Sequence, residues 1–212
     1  GANFNGNTFA AQAIEQGARY VICDEPEYTT HPSIHCVPDA LQFLQELANY
    51  HRRKFSIPVI GITGSNGKTS TKELINAVLS EKYKVLATVG NLNNHIGVPL
   101  TLLGLTNDHE MAIIEMGANR FKDIEELCSI AEPTHGIITN IGKAHLEGFG
   151  GFEGVLKTKR ELYESVEKIG GKLIVNKDDQ VLLNQLTKKT EIFTYGTDSG
   201  ADVVGQLVKL DP

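Results

Sequence analysis

The chain has 212 residues, 41% of them hydrophobic and 22% charged, with 26 acidic side chains against 20 basic ones. That length suits one large domain, or one domain with part of another. A net charge of −6 disfavours a general nucleic-acid binder, which needs a basic face, and no stretch approaches the roughly 20 apolar residues of a membrane span.

Apolar runs alternate with helix-like segments, the pattern of an α/β fold on a mostly parallel sheet. Arg19 to Cys23 reads as a strand, and Asp39 as the N-cap of a helix over 40–54, with Leu41, Leu44, Leu47 and Ala48 at helical spacing. Pro58 disfavours helix at Ile57, so a domain boundary is expected near Ser56, dividing 1–55 from 56–212. Beyond it, strands are expected at 59–62, 84–87, 111–114, 136–139, 172–175 and 191–195, and helices at 68–80, 121–130 and 153–168. Pro99 suits the first turn of a further helix. The stretch 203–210 reads as the start of new structure; with Gly1 in place of a Met, both ends read as cut. No internal repeat or basic, apolar leader is visible. Cys23, Cys36 and Cys128 form no C-x-x-C pair, so reduced, mostly packed thiols in a cytoplasmic protein are expected.

The clearest motif is Gly61-Ile62-Thr63-Gly64-Ser65-Asn66-Gly67-Lys68-Thr69-Ser70. An apolar strand feeds a glycine-rich turn, and a helix follows. Glycines let backbone N–H groups close around phosphate oxygens, and the helix N-terminus adds partial positive charge there. Lys68 can reach the β- and γ-phosphates and the Thr69 hydroxyl can ligate Mg²⁺. The strict G-x-x-x-x-G-K-[ST] spacing is not met: Ile62 stands five before Gly67, and Gly61 is one residue too early.

Five further stretches carry polar groups at strand ends, in loops or on a helix. Glu115 closes the 111–114 strand, where an acid either holds a nucleotide-bound metal or caps the next turn. Asn91, Asn93 and Asn94 lie in an amide-rich stretch suited to peptide or sugar groups, or to a turn held by Asx bonds. His145 follows Thr139-Asn140-Ile141-Gly142, and Lys157 and Lys159 lie on the 153–168 helix, where a solvated basic face is the simpler reading. Tyr195 ends a strand and could equally be core.

Thr63-Gly64-Ser65-Asn66-Gly67-Lys68-Thr69-Ser70 resembles the T-G-[TS]-N-G-K-T-[ST] loop of the Mur ligases and folylpolyglutamate synthase. The resemblance implies a P-loop-type central ATPase domain and an ATP-dependent amide ligase, in which ATP phosphorylates a carboxylate and an amine displaces the phosphate. It implies that Gly64, Ser65, Asn66, Gly67, Lys68, Thr69 and Ser70 hold ATP, with Tyr195 near the adenine. It places Thr69 and Glu115 on one Mg²⁺, and His145 with a carbamylated lysine on a second. A count of about fourteen residues from His145 reaches Lys159, with Lys157 as the alternative; Lys68, His145 and Lys159 are thus the expected catalytic residues. The stretch from Gly90 to Thr101 is similar to the branch of the family that adds D-alanyl-D-alanine to UDP-N-acetylmuramoyl-tripeptide, and implies that Asn93 and Asn94 touch that substrate. Gly1 to Phe9 is similar to the tail of that branch's UDP-binding N-terminal domain, so residues 1–55 are expected to be part of a small α/β domain. A sibling ligase, or a nucleotide-binding fragment without catalysis, is the alternative. Within this resemblance the partners are small molecules, a monomer is expected, and the chain alone is expected to be inactive.

Overall fold

The computed structural model describes residues 4–142, 149–187 and 190–206. The chain divides into two compact units, Gly1–Leu47 and Ala48–Pro212.

In the first unit a short helix, α1 (Ala10–Glu15), precedes two parallel strands, β1 (Val21–Cys23) and β2 (Ile34–Cys36). Ala10, Cys23 and Ile34 form its small core, with Ile14, Val21 and Tyr28 packed against them. Sequence patterning located β1 but not α1 or β2, which are too short to show a period. Helix α2 (Ala40–Arg52) starts at Asp39, whose carboxylate accepts the Gln42 N–H at 2.9 Å, as a cap does. The division between the units falls inside this helix. Its last turn belongs to the second unit: Ala48 is fully buried in the main core, and Arg52 donates to the carbonyls of Phe55 and Ala131 at 2.6 and 3.0 Å.

The second unit is built on β3 (Val59–Thr63), β4 (Val85–Ala87), β5 (Met111–Glu115), β6 (His135–Ile138), β7 (Lys172–Asn176), β8 (Glu191–Gly196) and β9 (Val203–Val204). These form one sheet in the order β4-β5-β3-β6-β7-β8-β9, with every neighbouring pair parallel. Between them run α3 (Lys68–Ser80), α4 (Gly97–Leu103), α5 (Asp123–Ala131), α6 (Phe152–Lys168) and α7 (Gln180–Leu183). Pro99 falls in the first turn of α4. The expected α/β class is therefore what the chain adopts, and among the described residues of this unit the four-residue α7 went unanticipated.

Strand β3 is buried along its whole length, as a central strand covered on both faces must be. Ile60 and Ile62 meet Ile113 and Ile137 on one face, with Ile75 and Leu79 of α3 packed over them. Val59 faces the larger core, which includes Leu127 of α5 and Leu162 and Val166 of α6. Gly61 lies under α6: a Cβ there would come within 2.9 Å of Leu162 Cδ1. The consequence for function is positional. The strand order reverses at β3, which β5 flanks on one side and β6 on the other, and in such sheets ligands bind beyond the carboxyl ends of the strands at that point. Among the described residues no helix is long and apolar enough to cross a membrane.

Candidate active site

The loop after β3 is shaped by two glycines. Gly64 has φ 144° and Gly67 has φ 76°, conformations that L side chains rarely adopt. A Cβ on Gly64 would also lie 2.0 Å from Thr139 Oγ1. The loop is fastened to the exit of β6. The N–H of Ser65 donates to the Asn140 carbonyl at 3.0 Å. The Asn140 side chain accepts the Asn66 N–H at 3.1 Å and donates to the Asn66 carbonyl at 2.9 Å. Thr139 Oγ1 donates to that carbonyl at 2.6 Å, and Ser65 Oγ accepts the Gly142 N–H at 2.9 Å. Lys68 Nζ donates to the Gly64 carbonyl at 2.9 Å, inside the loop. Gly67, Lys68 and Thr69 open α3, where first-turn N–H groups have no intrahelical partner. A thirteen-residue helix starting at such a loop is an anion-binding terminus.

Register brings an acid level with this loop, since Ile62 on β3 pairs with Glu115 on β5. Glu115 is 1% exposed. Its Oε1 accepts from Thr69 Oγ1 at 3.2 Å and from Asn93 Nδ2 at 2.8 Å, so the carboxylate turns to α3 and the amide-rich loop, not to the turn that follows it. Oε2 is buried and has no hydrogen-bond partner among the described residues. A buried carboxylate oxygen left unpaired is costly. Thr69 Oγ1 beside it completes a hard-oxygen pair of the kind Mg²⁺ takes, so these residues fit a divalent cation.

The two candidate lysines part company on α6. Val155, Lys159, Leu162, Tyr163 and Val166 form the buried stripe of the helix, at the i, i+4, i+7, i+8 spacing of a core face. Lys159 is 4% exposed and its amine lies 5.9 Å from the centre of the Phe149 ring. Burial, and secondarily the Lys68 charge, push its pKa down to about 8. Lys157, two residues earlier, is exposed, with its amine over Phe121 at 4.5 Å. Spacing along α6 alone would have separated the two.

Asn94 is engaged locally. Its Oδ1 accepts the Ile96 and Gly97 N–H groups at 3.0 and 2.9 Å, the Asx turn offered above as the alternative to substrate contact. Tyr195 stands at the end of β8, three strands from β3 in the sheet, half-buried and opposite Asn176. His145 lies outside the described residues. Gly64, Ser65, Lys68, Asn93, Asn94 and Lys159 share the wall of one cleft of about 320 Å³. Sequence reasoning gave no role to Thr139 or Asn140, nor to Lys72 and Thr88, both buried beside the site. Polar residues at or directly after the end of an expected strand were the available signal for Thr139, Asn140 and Thr88.

A family model of the Mur ligase middle domain matches residues 62–211. The chain belongs to the Mur ligase family. Among curated Mur ligases, the UDP-N-acetylmuramoyl-tripeptide–D-alanyl-D-alanine ligase of Bacillus subtilis (strain 168) is 39% identical over 204 residues, 95% of this chain and 44% of that protein. The fold is similar to MurF ligase from Thermotoga maritima in complex with ADP, with TM-score 0.86 and 34% identity over 96% of this chain and 47% of the other. It is also similar to MurF from Acinetobacter baumannii, with TM-score 0.84 and 35% identity over 92% of this chain and 44% of the other. The chain thus spans less than half the length of the relatives it matches.

Proposed function

We propose that this chain forms the nucleotide-binding centre of an ATP-dependent ligase that joins D-alanyl-D-alanine to UDP-N-acetylmuramoyl-tripeptide. The observation that carries the reading is the convergence of Lys68, Asn93 and Lys159 on one cleft, with Glu115 bonded to both Thr69 and Asn93. The names of the relatives above support the choice of substrates. By resemblance residues 1–55 are assigned to the end of a UDP-substrate-binding domain and 56–212 to the central domain, although the last turn of α2 already packs with the second unit. We place the enzyme in the cytoplasm, acting as a monomer on small molecules.

In this reading the α3 amides and Lys68, released from the Gly64 carbonyl, hold the β- and γ-phosphates, with Tyr195 near the adenine. The substrate carboxylate attacks the γ-phosphorus in line; its O–P bond forms as the bond to the ADP oxygen breaks, giving an acyl phosphate. The dipeptide amine then attacks the acyl carbon and phosphate leaves. Thr69 and Glu115 would hold one Mg²⁺, and His145 with Lys159 a second. Bound there, the metal supplies positive charge for the transferring phosphoryl group. A lysine with pKa about 8 is partly neutral near neutral pH. Its free amine can therefore add to CO₂ with loss of a proton, turning a cation into an anionic oxygen ligand. Asn93 holds Glu115 in place and faces the substrate from the same cleft.

The test is ADP release by an enzyme of full family length carrying this chain, given UDP-N-acetylmuramoyl-tripeptide, ATP and Mg²⁺, with and without D-alanyl-D-alanine. Release that requires the dipeptide is expected. Release with another amine instead would move the enzyme to a sibling ligase, and none with any amine would leave nucleotide binding alone.

A further inference from the structure

Lys72 lies one helical turn beyond Lys68 and Thr69 on α3 and is fully buried. Lysine is almost never fully buried unless its charge is paired. Its Nζ meets the Glu73 carboxylate at 2.8 Å, but the Glu73 side chain is 60% exposed, and ion pairs at that exposure hold little. The inward contact is with backbone: Lys72 Nζ donates to the Thr88 carbonyl at 2.5 Å. Thr88 follows β4 directly, and its hydroxyl accepts the Glu115 N–H at 3.0 Å. Glu115 accepts from Thr69 at 3.2 Å, and Thr69 stands three residues before Lys72 on the same helix. Thr69, Glu115, Thr88 and Lys72 therefore close a ring, and the ring contains both side chains assigned to the first cation.

We propose that Lys72 is a positioning residue: by tying the end of β4 to α3 it fixes the spacing between the Thr69 hydroxyl and the Glu115 carboxylate, and so the size of cation the pair accepts. The inference rests on the reading of Thr69 and Glu115 as metal ligands. Mg²⁺ holds oxygen at about 2.1 Å and Ca²⁺ at about 2.3–2.6 Å, so a ligand pair distinguishes them only if its spacing is held to a few tenths of an ångström. The direct Thr69–Glu115 contact alone is a single bond between two rotatable side chains. The Thr88 hydroxyl holds the Glu115 backbone, and Lys72 anchors Thr88 to the helix that carries Thr69. With the Lys72 link gone, the β4 end loses its polar tie to α3, and the pair can open to a larger ion.

The experiment is calorimetric ADP binding to this chain in Mg²⁺ and in Ca²⁺, for the unsubstituted chain, Lys72→Met and Thr88→Val. Met keeps a linear side chain, and Val keeps the branched shape while removing the hydroxyl. The unsubstituted chain should bind ADP more tightly with Mg²⁺ than with Ca²⁺, and each variant should lower that ratio by about tenfold, the usual scale for groups that orient metal ligands. A variant that had lost only packing would weaken binding equally in both cations. An unchanged ratio in a variant whose far-UV circular dichroism matches the parent overturns the inference and leaves the metal-site reading in place. Should Lys72→Met not fold, Thr88→Val decides the question in the same way. ADP binding by the unsubstituted chain that responds to neither cation overturns both.

Discussion

The side-chain amide of Asn140 pairs with the peptide of Asn66 in both directions, accepting its N–H at 3.1 Å and donating to its carbonyl at 2.9 Å. The two residues are 74 positions apart, and the pairing fastens the phosphate loop to the end of β6. Asn140→Ala removes both bonds. It should lower stability by about 1–2 kcal/mol and weaken ADP binding about tenfold by loosening the loop, the free-energy equivalent of about one hydrogen bond. Thermal denaturation and calorimetry read the two effects. Unchanged ADP affinity would show that the clamp has no part in phosphate binding.

Gly64 and Gly67 both have positive φ, but only Gly64 is crowded. A Cβ there would overlap Thr139 Oγ1, whereas nothing lies within 4 Å of one on Gly67. Gly67→Ala should cost about 1 kcal/mol, the conformational penalty alone. Gly64→Ala adds displacement of Thr139 and should cost about 3 kcal/mol or more. Chemical denaturation of the two variants tests the ordering, and equal losses would contradict the steric account.

Lys159 is a buried amine whose ionisation the fold opposes. Its pKa is about 8 against 10.5 for an ordinary lysine. The folded state therefore disfavours the charged form, and below pH 8 the whole penalty is present, on the order of 3 kcal/mol. Between pH 8 and 10.5 the unfolded chain binds more protons than the folded one, so stability rises with pH there and the penalty fades. Lys159→Met should accordingly be more stable than the parent at pH 7 and lose that advantage by about pH 10.5, as urea titrations across the range would show. A constant difference between the two proteins would contradict the assignment. In a full-length enzyme the same substitution should abolish turnover.

Lys68 lowers the Lys159 pKa through its charge. Lys68→Ala should raise the pKa of Lys159, readable in the titration of its ¹³C-labelled side chain, and should weaken ADP binding about a hundredfold by removing the phosphate's cation. A Lys159 titration identical to the parent's would mean that the two amines do not share the cleft as described.

Glu115→Gln keeps the size of the side chain and removes its charge. Because Oε2 is buried without a partner, stability without metal should change by less than about 1 kcal/mol, while the Mg²⁺ dependence of ADP binding disappears. Retained Mg²⁺ dependence, measured by titrating the cation against ADP affinity, would rule Glu115 out as a ligand.

Local patterning along the chain specifies the α/β class, the strand-loop-helix around Gly64 to Thr69, and the end of β5 at Glu115. Each depends on local patterning: continuous apolar runs for strands buried on both faces, glycines where the loop needs positive φ, and helical spacing for α3 and α6. The same spacing already held the choice of Lys159 over Lys157, since Val155, Leu162 and Val166 mark the buried face. What these residues meet depends on how the elements pack. Asn93 bonds Glu115 and Lys72 bonds Thr88, and Asn140 holds the phosphate loop. Each of these contacts crosses between elements, because the parallel register of β4, β5, β3 and β6 lays strand ends side by side that are far apart along the chain.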